Sequence, residues 1–313
     1  MKSRARIMMA AICAFVGVAA SMAAALGVFA RGDGTFVPVT SAVGEAYEMA
    51  VGGVYANSSR QLVAEGVGWD AFTLIVAAPV LLLTSIFVAR GSFRGYLAAA
   101  GMLGYFLYMH LEYAVTWAFG PMFPLFIVVT AASLIGIVGM GTLIADAGVR
   151  DRFDERFPRR RYAALTIGMA LLLTVMWIGR IVDGLNTATT VLHGETTMTV
   201  QALDLGLVVP TSVLLGLATL WRHPAGTAAA AAFSVTFAAM SAAIAAMMVS
   251  ASIVTGTLQL PPIILFGVAT LAAIVLIARI DASLGPSSER FGGDPGPSPA
   301  GITTAGQGAR AHT

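Results

Sequence analysis

The sequence predicts an all-α membrane protein: a bundle of about eight transmembrane helices with both termini on the cytoplasmic side. Three observations carry that expectation. Eight apolar stretches occupy most of the chain, at 7–30, 71–89, 95–118, 121–147, 162–183, 200–220, 225–250 and 257–279, and a crossing helix needs about 20 mostly apolar residues. The chain is 58% hydrophobic and only 11% charged, with a mean hydropathy of +0.83, whereas soluble domains carry about 25% charged residues. Its basic residues are also segregated by side. Lys2, Arg4, Arg6, Arg90, Arg94, Arg150, Arg152, Arg156, Arg159, Arg160, Arg161, Arg222, Arg279, Arg290 and Arg310 fall on one side, and only Arg31, Arg60 and Arg180 on the other. Basic residues are retained on the cytoplasmic side, and an even number of crossings requires the same placement of the two ends. The expected location is a bacterial inner or plasma membrane. A net charge of +2, spread over short loops, excludes a nucleic-acid partner as the main theme.

The first stretch follows Met1–Arg6 and contains Val28-Phe29-Ala30, so it resembles a secretory signal with a cleavage site. Its apolar run exceeds the roughly 7–15 residues of a signal core, which favours a retained crossing. Cys13 lies within it. A lone thiol excludes an internal disulfide, a redox pair and a cysteine zinc site, and reads as a small buried hydrophobe.

The transmembrane domain spans 1–280. Its outer loop, 31–70, is expected to hold a short amphipathic helix, because Val43, Tyr47, Ala50, Val51 and Val54 recur at helical spacing with Glu45 and Glu48 elsewhere on the wheel. Asn57-Ser58-Ser59 reads as a turn. The inner loop 148–161 is a mixed-charge connector that fixes topology, and its basic end is also suited to anionic lipid. The tail 281–313, with Pro286, Pro295, Pro297 and Pro299, cannot bury a core and reads as disordered cytoplasmic chain.

A weak duplication links 70–113 with 204–246. Each segment begins with an aspartate, Asp70 or Asp204, and places a proline in an apolar helix, Pro79 or Pro210. Gly95 or Gly226 follows sixteen residues later, ahead of an alanine-rich run. Two parallel four-helix repeats are the expected arrangement. Each proline leaves the carbonyl four residues earlier, at Ile75 or Gly206, without its helical partner. Broken helices at matching positions in two repeats point to a transporter site, while a plain kink is the structural alternative.

The third stretch holds the strongest polar cluster: Tyr105, Tyr108, His110, Glu112, Tyr113 and Trp117. Tyr105, Tyr108, Glu112 and Thr116 share one helix face, and His110, Tyr113 and Trp117 another. Glu112 falls in the outer third of the membrane, where a carboxylate costs a few kcal/mol unless protonated, hydrated or paired. Either Tyr105 and Tyr108 satisfy it as a packing contact, or it binds substrate. His110 alone reads more readily as a packing hydrogen-bonder than as a ligand. Arg180 with Asp183, and Gln201 with Asp204, are spaced to share helix faces and could join Glu112 in an outward polar vestibule. Asp70 and Asp204 read as N-terminal helix caps.

Metal chemistry finds little support. His193 and His223 fall in opposite loops, and Met240, Met247 and Met248 on one face read as core before they read as a Cu(I) site. No HExxH, Walker loop or GxSxG occurs, so no metal, cofactor or catalytic residue is assigned. The stretches RGSFRGYLAAAGMLGYFLYMHLEY (90–113) and TVQALDLGLVVP (199–210) resemble uncharacterised bacterial multi-pass integral membrane proteins, which implies a membrane fold and no activity. The leading functional expectation is a transporter-like protein for a small, weakly charged or apolar substrate. A non-transporting sensor or accessory subunit is the second, its small-residue seventh helix permitting close helix docking. A membrane-embedded redox or other enzyme is the third. The expected partners are the lipid bilayer and a small-molecule ligand.

Overall fold

The computed structural model describes residues 2–150, 152–186 and 192–285. Within them the chain forms eight long helices: α1 (Lys2–Phe29), α2 (Arg60–Ala89), α3 (Phe93–Thr116), α4 (Phe123–Asp146), α5 (Arg159–Asn186), α6 (Thr199–Leu220), α7 (Pro224–Thr255) and α8 (Leu260–Ala282). Seven are long and apolar enough to cross a membrane. The eighth, α3, has 24 residues, but its tyrosines, His110 and Glu112 lower its hydropathy and it sits more deeply among its neighbours. Leu171, Leu214 and Leu271 are each about two-thirds exposed. In water such a belt of apolar side chains would be an unpaid cost, and in lipid it is the matching surface. This is the build of a polytopic membrane protein.

Two sequence expectations at the outer end are corrected. Residues 43–54 form no amphipathic helix. Instead β1 (Phe36–Thr40) pairs antiparallel with β2 (Ala46–Ala50), Phe36 opposite Ala50 and Thr40 opposite Ala46. Tyr47 and Met49 turn toward the protein while Ala46 and Glu48 face out, a period of two that the apolar spacing had disguised as a helical one. Gly44, at a φ of 83°, closes the turn, and the Glu45 amide donates to Ser41 Oγ at 3.1 Å. The second helix, moreover, starts at Arg60 and not near residue 71. Ser59 caps it, accepting from the Leu62 amide at 3.3 Å. Arg60 then ties the hairpin to the bundle, bonding Glu48 at 2.7 Å and the Val254 carbonyl at 3.3 Å.

Helices α1 to α4 pack together, with α1 closing against α4; α7 packs against α8, α2 and α3, and α5 packs mainly on α6. Local features recur at a constant spacing of 131 positions. Each of α2 and α6 contains one π-helical turn, at Thr73–Ala77 and Asp204–Val208. Pro79 and Pro210 follow. Gly91 and Arg222 both take positive φ, 82° and 57°. Ser92 and His223 then cap α3 and α7, accepting from Gly95 and Gly226 amides at 3.2 and 3.1 Å. That spacing sets Thr73, not Asp70, against Asp204. It also brings two matched positions into contact, since a Cβ on Gly101 would collide with the Ala232 carbonyl, and Thr236 Oγ1 donates to the Gly101 carbonyl at 2.7 Å. Leucine at 101 should therefore push α3 off α7 and cost at least the 1–3 kcal/mol typical of overpacking, because backbone cannot rotate aside. Unfolding in detergent reads this, and an unchanged midpoint would mean the two helices do not meet there.

On the inner side Arg94 pairs with Asp281 at 2.6 Å, and Leu284 bridges Phe153. The tail read as disordered lies outside the described residues from position 286 onward. Cys13 is fully buried among apolar side chains.

Candidate functional site

The polar residues of α3 divide between two outer-end clusters. In the first, Asp70 is buried in the continuous part of α2 and caps no helix. Its carboxylate accepts from Tyr55 and, at 3.2 Å, from Tyr113. Gly27 of α1 makes room for the pair, since a Cβ there would overlap both Asp70 and Tyr55. Beside them lies a cavity of about 20 Å³ bordered by Asp70, Tyr113, Trp117 and Phe126, enough for about one water. Trp117 stacks edge-on to Tyr113, with ring centres 5.0 Å apart. His110 packs against Phe106, Tyr113 and Phe126, and its Nδ1 lies 3.0 Å from the Phe106 carbonyl. Protein donors hold the Asp70 carboxylate, while His110 Nε2 and Trp117 Nε1 are buried without a hydrogen-bond partner among the described residues.

The second cluster lies where α3 meets α5 and α6. Asp204 caps nothing either. It opens the π turn of α6, accepts from Tyr108 at 2.5 Å and from Trp177 Nε1 at 2.8 Å, and so joins three helices. The matching π turn of α2 opens at Thr73, which shares a hydrogen bond of 2.6 Å with Tyr105. Both turns thus present their first residue to a tyrosine of α3. A π turn spreads the break that proline imposes, and such turns often mark functional positions. Here the Ala78 amide reaches back to Thr73 and the Val209 amide to Asp204, five residues each.

Glu112 stands one turn outward of Tyr108 and about 6 Å from the end of α3 at 1.5 Å per residue. It is 7% exposed. The tyrosines expected to satisfy it are engaged elsewhere, and no hydrogen bond reaches its carboxylate among the described residues. The charges around it are Asp204, Glu65 and Glu195. Arg180 lies nearer the rim, acting on Glu65, Glu195 and His193. Glu112 does not line the small cavity beside Asp70.

A loop covers the second cluster from outside. Glu45, at the hairpin turn, accepts the amides of Leu192, His193 and Gly194 at 2.9, 3.1 and 3.4 Å. Three successive N–H groups around one carboxylate form an anion nest. Burial, and next the charge of Glu65, push the Glu195 carboxyl up to about 7, with Arg180 opposing. Burial lowers His193 from its ordinary value, against the pull of Glu45. Alanine at Glu45 should release the loop, seen as faster amide exchange at 192–194; unchanged protection would deny the nest its role.

Of the residues singled out from sequence, Glu112, Tyr108 and Asp204 meet here, with Arg180 at the rim. Tyr105, His110 and Tyr113 turn toward α2 and α4, and Pro79 and Pro210 sit just past the two π turns. Glu45, Glu65, Glu195 and Trp177 were missed. Glu65 could have been found had Gln61 and Glu65, bonded at 2.6 Å, been read as an i, i+4 pair extending the second helix. No family model, curated protein or solved structure compared with this chain matches it.

Proposed function

We propose that the protein is a transporter-like membrane protein of eight crossings, arranged as two parallel four-helix repeats, in which Glu112 is the central binding group. One observation supports the reading above the others: a buried carboxylate that receives no hydrogen bond among the described residues, with the charges of Asp204, Glu65 and Glu195 around it. Intramembrane ionisable residues are expensive and are kept for function. Four carboxylates against one arginine disfavour an anion and suit a proton or small cation. The coupled species is therefore a proton, and the cargo is small and uncharged or weakly basic. Glu195 meets solvent first and passes the proton inward toward Glu112 and Asp204. The paired π turns, each hydrogen-bonded to an α3 tyrosine, are the joints on which α3 moves to admit the cargo. The site is asymmetric, because the positions matching His110 and Glu112 are Ser241 and Ala243.

The test is reconstitution into vesicles with an internal pH dye and an imposed proton gradient. Wild type should carry protons, alone or with an added cargo, and Glu112→Gln should not. Flux equal to empty vesicles would overturn transport, and equal flux in both proteins would remove Glu112 from the site. A thermal-shift screen of small molecules on the same two proteins names the cargo class, since a ligand stabilises only the state that binds it.

Glu195 supplies the pH dependence. Its carboxyl holds a proton more tightly folded than unfolded, so the folded state binds more protons between the ordinary carboxylate range and about 7. Its contribution to stability therefore falls as pH rises through that window. Flux should inflect near the same pH. In Glu195→Gln both the fall and the inflection should vanish; their persistence would assign them to another group.

A further inference from the structure

The two halves differ at one helix contact on the arginine-rich side. In the first half α1 closes on α4, where Gly136 and Gly139 admit Ile12 and Met9 of α1. In the second half α5 barely touches α8. Between them runs an open groove of about 400 Å³ that includes Arg161, Leu165, Val268, Leu271, Val275 and Arg279. Leu271, Val268 and Val275 are 66%, 60% and 54% exposed, and the rest of the lining is apolar apart from the arginines. Arg161 stands in the first turn of α5 and Arg279 in the last turn of α8, so both guanidinium groups mark the inner rim. Among the described residues neither makes an ion pair, and no carboxylate lines the groove.

Its length selects the occupant. From Arg279 to Val268 is eleven residues, about 16 Å along a helix. The hydrocarbon core is about 30 Å thick, so the groove runs from the inner headgroup level to about the bilayer middle. That is the reach of one acyl chain of one leaflet. We propose that this groove binds one anionic glycerophospholipid, its phosphate between Arg161 and Arg279 and one chain along α8. Two cations at the rim call for an anionic head, and the apolar floor excludes a free polar phosphate as the sole ligand. Basic pockets between helices on this side of a membrane suit such heads. The lipid takes the place in the second half that α1 packing fills in the first, and its binding is independent of any transport by Glu112.

Native mass spectrometry of the detergent-purified chain tests this, with phosphatidylglycerol and phosphatidylcholine of identical chains as probes and glycerol phosphate as the chainless head. Wild type should retain phosphatidylglycerol preferentially and glycerol phosphate not at all. Arg161→Gln and Arg279→Gln should each lower that preference roughly fivefold, the equivalent of about 1 kcal/mol per basic residue, and together erase it. Arg90→Gln with Arg150→Gln makes the same change in charge outside the groove and should leave the preference intact. Ala272→Phe fills the groove and should reduce retention of both lipids. Equal retention of the two lipids by wild type, or an undiminished preference in the double groove variant, would overturn the proposal. Retention of glycerol phosphate would show a head-group site without a chain and overturn it equally.

Discussion

Valine in place of Gly27 is expected to destabilise the bundle by several kcal/mol, because the new side chain would occupy the space of the Asp70 carboxylate and the Tyr55 hydroxyl. Overpacking alone costs about 1–3 kcal/mol. The Tyr55 hydroxyl left buried without its acceptor adds about 1–3 more, whereas Tyr113, which also bonds Asp70, keeps a longer contact of 3.5 Å to the Gly66 carbonyl. Against a total stability of about 5–15 kcal/mol, that is a loss few single changes reach. Chemical unfolding in detergent measures it. Alanine at Gly27 should already show much of the effect, and Asp70→Ala in the same chain should cost less than the two changes added, since truncating the aspartate vacates the space the new methyl needs. A neutral Gly27→Ala would mean that α1 is not seated against α2 at this point. Strict additivity would mean that the two residues do not share a site.

Helix positions were readable because membrane helices announce themselves by length. Lipid demands apolar side chains around most of the circumference and internal pairing of every backbone group, so each stretch from 95–118 onward lies within a few residues of its helix. The outer end is different, since protein, water and lipid share the solvation there and length no longer discriminates. Val43, Tyr47 and Val54 satisfied a helical spacing by coincidence while Tyr47 and Met49 followed a strand. The start of α2 was hidden because Glu65 and Asp70 lower the hydropathy of a segment whose neighbours bury it. With the helix begun near 71, Asp70 read as a cap and Glu65 as a loop residue. The spacing of Pro79 and Pro210 was visible, but the π turns before them were not, as a proline in an apolar helix can be accommodated by a plain kink as well as by a π turn and the residue types do not distinguish the two. The acids around Glu112 were hidden for another reason. Glu195 is brought to it by a loop and Glu65 by the unread first turns of α2, and wheel positions on α3 hold no information about those.

Leucine in place of Glu112 is expected to stabilise the protein while ending its function. The carboxylate is buried, receives no hydrogen bond among the described residues and faces Asp204, Glu65 and Glu195. An unsatisfied buried polar group costs about 1–3 kcal/mol. An apolar side chain of similar size removes that cost together with the repulsion among the acids. Asp204 offers the contrast, as Asp204→Leu strips Tyr108 and Trp177 of their acceptor and should destabilise by a similar amount for each donor. The sign of the two effects decides between site and packing contact. A residue held for packing loses stability when replaced, whereas one held for binding is paid for by the fold and releases that cost when removed. Denaturant unfolding of both variants in detergent, set beside their proton flux in vesicles, makes the comparison. A stability gain with lost flux in Glu112→Leu supports the binding role. A loss above about 1 kcal/mol would mean that Glu112 has a partner in the folded protein and that its place on α3 is structural.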